Sequence, residues 1–239
     1  MRSSAAVVVG ARQDRTVVET MRSDPPLLLR PTADALHLVG GAAGPLGGDD
    51  QELTVEVGAD ATLVIRSVAA SMAMPGKGAS KSRVEARVRE GGSLDWAPEP
   101  LISVVGSDHT QRTRIILEPG AHLRWRETLV LGRTGEGPGR LTASIRVERA
   151  GKALTHHEIR IGDDGWDGPA VLGEARVMIS ELIVGEAAPP AFQTSSEKGR
   201  GAGLPICEDA ILYMAISVDW PTAVDTLEKT KEAVVEATR

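Results

Sequence analysis

The segment ELTVEVGADATLVIRS, Glu52 to Ser67, consists of two runs of alternating apolar and polar residues joined by a short turn at Gly58. Three later segments repeat this pattern: SRVEARVREGGSLDWAPEP, TRIILEPGAHLRWRETL and ASIRVERAGKALTHHEIRI. One leucine follows the turn in each segment, with successive separations of 31, 29 and 31 residues, at Leu63, Leu94, Leu123 and Leu154. A repeat of about 30 residues predicts stacked β units, each made of a strand, a tight turn and a second strand.

Alternation with a period of two gives each strand one buried face and one solvent-facing face. In LRWRETLVL the leucines and Trp125 share a face with a single acid, Glu127. In HHEIRI, His157 shares a face with two isoleucines. An inward polar group is costly unless it is paired, hydrated or lining a cavity. Glu127 and His157 are therefore candidate functional residues, whereas we expect His109 and His122 to face solvent.

The composition limits the class of protein. The chain has 239 residues, 41% hydrophobic and 25% charged, which is typical of one globular domain or two small ones. The net charge of −6 argues against nucleic-acid binding, which needs a basic face. Cys207 is the only cysteine, so neither an intramolecular disulfide nor a site of clustered thiolates can form. The apolar runs are too short to span a membrane, and the expected location is the cytoplasm.

The glycine-rich stretch GGAAGPLGGDD, Gly40 to Asp50, has three possible explanations: a phosphate-binding loop, a metal-binding turn or a tight corner between strands. A phosphate-binding loop ends in Gly-Lys-Ser/Thr, and this stretch has no lysine. The later GKGASKS has a serine in place of the required glycine. A structural corner is the favoured interpretation, and a functional loop remains the alternative.

The predicted fold is mainly β: stacked strand units resembling a β-helix or an elongated two-sheet structure, with a short helical C-terminus. No clear linker divides the chain, so we expect one domain over residues 1–239. Stacked β units fill 1–184, and a loop, a strand and a helix fill 185–239. The stretch Ser195 to Asp209 is predicted to be an exposed loop. Thr222 and Asp225 form an acid-bearing variant of the capping box at the start of the helix.

Several segments, in order, resemble the UreD (UreH) family of urease accessory proteins. LHLVGGAAGPLGGDDQELTVEVGADATLVIRSVAA is similar to the N-terminal signature of that family. LDWAPEPLI, GAHLRWRETLVLGRTGEGPG and GPAVLGEARV resemble later family segments. Each motif is short, and the specificity lies in their order and spacing between about Leu27 and Val184.

The resemblance implies a protein that is not an enzyme. Family members assemble with UreF, with the nickel-carrying GTPase UreG and with apo-urease, and are thought to pass nickel through an internal tunnel. The family fold is a long β structure of stacked strands. Ni²⁺ in transit, no permanently bound cofactor, and no nucleic-acid or membrane partner are therefore expected.

Nickel accepts imidazole nitrogen and carboxylate oxygen, and a transit path needs weak, separated contacts rather than a closed cage. Alternation and charge select the candidate path residues. Each also has a simpler structural explanation: a turn acid, an arginine partner (Arg133 for Glu127), or a satisfied core histidine. The candidates are Asp49, Glu99, Glu127, Glu136 and His157.

Two other functions stay open at this point. One is a β-solenoid enzyme acting on carbohydrate, with Glu99 and Glu127 as paired acids, although only 3% of the chain is aromatic. The other is a purely structural bridging protein with no ion path. A water-accessible, acid-lined interior favours nickel transit, and a dry interior favours the bridge.

Overall fold

The computed structural model describes residues 1–13 and 15–236, and this part of the chain is mainly β with one helix near its end. The helix α1 covers Trp220–Glu236. The strands are β1 (Arg2–Arg12), β2 (Arg15–Ser23), β3 (Leu27–Pro31), β4 (Leu36–Gly40), β5 (Asp50–Val57), β6 (Thr62–Ser67), β7 (Ser71–Ala73), β8 (Ser80–Val88), β9 (Ser93–Trp96), β10 (Leu101–Ser103), β11 (Asp108–Leu117), β12 (His122–Leu131), β13 (Arg140–Arg149), β14 (Lys152–Ile161), β15 (Val177–Val184), β16 (Phe192–Ser195), β17 (Gly199–Cys207) and β18 (Ala210–Ser217).

The strands form two sheets. The first has seven strands in the order β14-β13-β11-β8-β5-β1-β2. The second has eleven: β16-β17-β18-β15-β12-β9-β6-β4-β3, with β7 and β10 paired beside this path. Between β5 and β13 the chain alternates between the sheets, and equivalent strands pair in parallel with their neighbours one coil away. This confirms the predicted stack of β units.

The repeat derived from the leucines is correct for three of its four members. Leu63 pairs with Leu94, and Leu94 with Leu123, in the second sheet. Leu154 does not continue the row, because β14 folds back antiparallel on β13 within the first sheet. Two consecutive residues with positive φ, Ala150 (50°) and Gly151 (75°), make this turn, and such pairs favour a tight hairpin.

Apolar side chains fill the space between the sheets in two clusters. The larger lies near the turns, where Trp96 and Trp125 stack with ring centroids 4.4 Å apart and an interplanar angle of 2°. The smaller lies at the other end of the strands and includes Leu129 and Leu131. On β12, Glu127 falls between Trp125 of one cluster and Leu129 of the other. The alternation therefore predicts the buried face correctly.

The C-terminal helix is confirmed, but its cap differs from the prediction. The carboxylate of Asp219 accepts a hydrogen bond of 2.8 Å from the backbone N–H of Thr222, so Asp219 caps the helix. Asp225 instead pairs with Lys229 along the helix surface, 2.7 Å away. The helix packs on the outer face of the second sheet through Ala223 and other buried apolar residues.

The predicted loop from Ser195 to Asp209 is wrong for most of its length, because β17 occupies Gly199–Cys207 between β16 and β18. A Cβ atom on Gly199 or Gly201 would collide with threonine side chains of the helix. These glycines allow close contact between strand and helix rather than loop mobility. Through the pairing of β18 with β15, this C-terminal segment belongs to the second sheet. That the whole chain forms a single domain stays a prediction.

The stretch from Gly40 to Asp50 turns the chain sharply between β4 and β5, as the favoured interpretation holds. Gly47 lies directly against the 76–78 turn of the next coil: a Cβ atom at position 47 would lie 2.6 Å from the nitrogen of Gly76 and the oxygen of Gly78. Gly48 has a φ of 91°, which side chains rarely adopt. The glycines therefore serve close backbone packing between coils.

Replacing Gly47 with alanine is expected to lower the free energy of unfolding by about 1–3 kcal/mol, because backbone atoms must shift to admit the methyl group. Gly137→Ala is a matched control, since a Cβ atom there meets nothing within 4 Å. The control should change stability by less than about 0.5 kcal/mol. Urea unfolding of both variants measures the difference, and equal stability would contradict the packing role of Gly47.

Candidate functional site

A cavity of about 500 Å³ lies between the sheets and opens at the surface. Its mouth is formed by two loops, 40–45 and 67–71, whose small apolar side chains are partly exposed. Most of the cavity surface is apolar, but part of its inner wall is polar, because β8 and β11 direct polar side chains inward at this level. The polar residues of the lining are Gln51, Glu52, Ser67, Ser71, Ser82, Arg83, Glu99, His109, Gln111, Thr113, Glu127 and Thr128.

Glu127 is the acid of the inner wall. Its Oε1 atom accepts hydrogen bonds from Gln111 Nε2 (3.2 Å), Thr113 Oγ1 (3.0 Å) and Trp125 Nε1 (3.2 Å). No described residue donates a hydrogen bond to Oε2. Oε2 is also not one of the buried side-chain atoms that lack a hydrogen-bond partner. Oε2 is therefore accessible from the cavity. Burial raises the pKa of Glu127, and the three hydrogen bonds oppose this rise without cancelling it.

His109 is a cavity residue that the sequence interpretation placed in solvent, and that expectation is wrong. Its side chain is buried, with Nδ1 2.8 Å from Ser80 Oγ and Nε2 3.0 Å from Ser82 Oγ. Burial lowers the pKa of His109 to about 4, so the ring is neutral near pH 7. The alternation along β11 indicates the inward position of His109, because His109 lies on the same face of the strand as the buried Ile115 and Leu117.

Glu99 lies at the mouth of the cavity that Glu127 also lines. Unlike Glu127, it is exposed to solvent. Its backbone N–H donates to Ser67 Oγ at 2.8 Å, which fixes this Pro-Glu-Pro segment against β6. The structure therefore places one predicted acid at the entrance and one at the inner wall. The alternative explanation of Glu127 as a buried partner of Arg133 is wrong, because Arg133 pairs with Glu136.

Glu136 takes Arg133 as its partner instead, in a turn outside the cavity. The guanidinium of Arg133 donates from Nε and Nη2 to the two carboxylate oxygens of Glu136, both at 2.9 Å. These hydrogen bonds lower the pKa of Glu136 to about 2. Its carboxylate is thus committed to a surface ion pair.

Asp49 is also outside the cavity lining. Its carboxylate accepts hydrogen bonds from the amino group of Met1 (2.7 Å) and from the backbone N–H of Leu46 (2.9 Å). Burial alone would raise the pKa of Asp49, but these two donors lower it overall. This is the arrangement of a turn acid.

His157 lies on β14, away from the cavity lining, and is half-buried. Its Nδ1 atom is buried and has no hydrogen-bond partner among the described residues. Burial, followed by the neighbouring His156, lowers the pKa of His157. The structure therefore brings together only Glu99 and Glu127 of the five candidates, and a role in nickel transit stays a prediction for all five.

No preformed metal cage is present in residues 1–13 and 15–236, where no three histidine, cysteine, aspartate or glutamate side chains are grouped so as to hold a metal ion. Within the same range, no helix is long and apolar enough to cross a membrane. The cavity lining offers instead the separate carboxylates of Glu127, Glu99 and Glu52, one neutral imidazole and several neutral polar groups. It also contains one guanidinium, that of Arg83, which pairs with Asp50.

Comparison with known proteins assigns the family. The family model described as UreD urease accessory protein matches residues 1–228. The urease accessory protein UreD of Streptomyces avermitilis is 40% identical over 233 residues, covering 90% of this chain and 91% of that protein. The UreD proteins of Frankia alni and Streptomyces coelicolor are each 37% identical, covering 92% of this chain and 76% and 91% of their own lengths, respectively. The chain therefore belongs to the UreD family of urease accessory proteins.

Proposed function

We propose that this protein supports insertion of nickel into apo-urease and that the ion passes through the cavity beside Glu127. The observation that carries the proposal is the accessible Oε2 atom of Glu127 on the polar part of the wall of an open cavity. Nickel accepts carboxylate oxygen and imidazole nitrogen, both of which occur on the cavity wall. The residues present fit brief contact with a divalent cation better than tight storage.

The arrangement suits transit because each contact is single. A closed set of three or four ligands would retain the ion, whereas one carboxylate oxygen leaves most of the coordination shell to water. A volume of about 500 Å³ has room for such a hydrated ion. Glu99 at the mouth provides a second acid on the way in.

The proposed partners are UreF, the GTPase UreG and the apo-urease subunits, in the cytoplasm, with no catalytic step performed by this chain. The small apolar side chains around the mouth support contact with another protein at this opening, because exposed apolar groups gain stability when covered. The names of the relatives, all accessory proteins, agree with a role that is not catalytic.

Glu127→Gln is expected to lower urease activation at limiting nickel about tenfold, the range found when a ligand or its support is removed from a metal site. Assembly with the urease components should remain unchanged, because glutamine keeps the shape of the side chain. Urease activity and nickel content measure activation, co-purification measures assembly, and a strain lacking the protein sets the baseline.

The matched control is Glu136→Gln, which makes the same substitution at a carboxylate outside the cavity and should leave activation unchanged. If Glu127→Gln reduces assembly and activation equally, the residue has a folding role instead. If activation is full even in the strain lacking the protein, the proposed function itself is wrong.

A further inference from the structure

The hydrogen bonds of Glu127 are distributed unequally over its two oxygens. Oε1 receives all three donors, from Gln111, Thr113 and Trp125, at 3.0 to 3.2 Å. A carboxylate oxygen offers about two lone-pair positions, so three donors leave none of them free. Any cation in the cavity therefore meets Glu127 through Oε2 alone.

The three donors are themselves held rigidly. Gln111 and Thr113 lie two residues apart on the same face of β11. This strand is central in the first sheet and pairs with β8 and β13 over its length. Trp125 is 1% exposed, and the stack with Trp96 fixes the plane of its indole ring. The donors thus come from both sheets and converge on one atom.

We infer that Gln111, Thr113 and Trp125 are positioning residues that hold Glu127 as a one-oxygen ligand for a hydrated divalent cation. This inference rests on the proposed nickel route. The donors stabilise the anionic carboxylate in a buried position and prevent its rotation. One-oxygen coordination explains how the cavity can attract a divalent ion and still release it. Groups that orient a metal ligand in this way typically change metal affinity by 10–100-fold when removed.

The inference is tested with purified protein and Ni²⁺ alone. Binding is measured by equilibrium dialysis and by quenching of tryptophan fluorescence, since Trp125 Nε1 lies 3.2 Å from Glu127 Oε1. Thr113→Val and Trp125→Phe keep the shape or ring but remove a donor, and each is expected to weaken Ni²⁺ binding about tenfold. Thr113→Ser restores the hydroxyl group and should recover most of the affinity, which a purely structural role of the threonine methyl group would not allow. Urea unfolding establishes that each variant is folded.

The outcomes separate the inference from the proposed function. If Glu127→Gln abolishes Ni²⁺ binding while Thr113→Val and Trp125→Phe bind as the wild type does, the positioning role is wrong and the nickel route stands. If Glu127→Gln binds Ni²⁺ as the wild type does, or if neither protein binds it, the route through Glu127 fails and the positioning role fails with it. Loss in all three variants with recovery in Thr113→Ser supports both.

Discussion

Glu181→Gln is expected to cost about 3 kcal/mol of the free energy of unfolding, because it leaves three partly buried cationic groups without their buried counter-charge. Glu181 is fully buried on the outer face of the second sheet, under the C-terminal helix. Its carboxylate contacts Arg126, Lys231 Nζ (2.9 Å) and Arg124 Nη2 (3.2 Å). Since Lys231 belongs to the helix, the helix end is the part expected to loosen first.

Glu158→Gln is the matched control, because the one ion pair of Glu158 within residues 1–13 and 15–236 is with Arg160 at the surface of β14. Exposed ion pairs contribute about 0–1 kcal/mol, so this variant should remain close to the wild type. Urea unfolding followed by circular dichroism measures both variants. Equal small losses would mean that the cluster around Glu181 is solvated and contributes little.

The same cluster predicts sensitivity to acid. Burial alone would raise the pKa of Glu181, but Lys231, Arg126 and Arg124 outweigh it and hold the pKa at about 2. A carboxyl group with a lowered pKa in the folded state stabilises the fold at neutral pH. That contribution is lost as the pH falls from the ordinary glutamate value of about 4.3 toward 2. In Glu181→Gln this part of the pH dependence should disappear.

His109 should produce a second, separate loss of stability at mildly acidic pH. Its pKa is about 4 in the folded protein and about 6.5 when unfolded, so between these values the unfolded chain binds a proton that the folded one does not. Stability therefore falls as the pH decreases from about 6.5 to 4, by about 3 kcal/mol in total. Above about pH 6.5 the residue makes no pH-dependent contribution.

His109→Gln removes this titration and should flatten the curve of unfolding free energy against pH over that interval. Urea unfolding at several pH values measures the curve, and NMR titration of the His109 ring gives its pKa directly. A ring that protonates near pH 6.5 in the folded protein would contradict the buried, neutral state described by the structure.

The sequence predicts the stacked coils because their strands alternate and their turns carry glycine, whereas β15 and β18, which are buried on both faces, do not alternate. It also predicts Glu127, since an acid between Trp125 and Leu129 on an apolar face is visible without coordinates. The hairpin at Ala150-Gly151 was harder to predict, because a turn within one sheet and a turn between sheets look alike in sequence. Two consecutive residues adopt positive φ in this hairpin, whereas one does so in each of the turns at Asp60, Gly91 and Gly120.

The rest depends on contacts between distant segments. The exposed-loop prediction for Ser195 to Asp209 fails because glycine serves close helix packing as well as turns. The partners of Asp49 and Arg133 cannot be deduced from charge alone, since several opposite charges compete for each. The inward position of His109 can be predicted from the alternation along β11. Its two serine partners cannot, because they come from another coil.

The first sheet has parallel strands in its middle and one antiparallel strand at each border, β2 at one side and β14 at the other. Stacked parallel coils with an open border would template the next copy of the chain and grow into fibres. The two border strands interrupt that growth, and both carry charged side chains that disfavour pairing with a neighbour. Without β2 or β14, the parallel strand β1 or β13 would become an open edge at which another chain could pair.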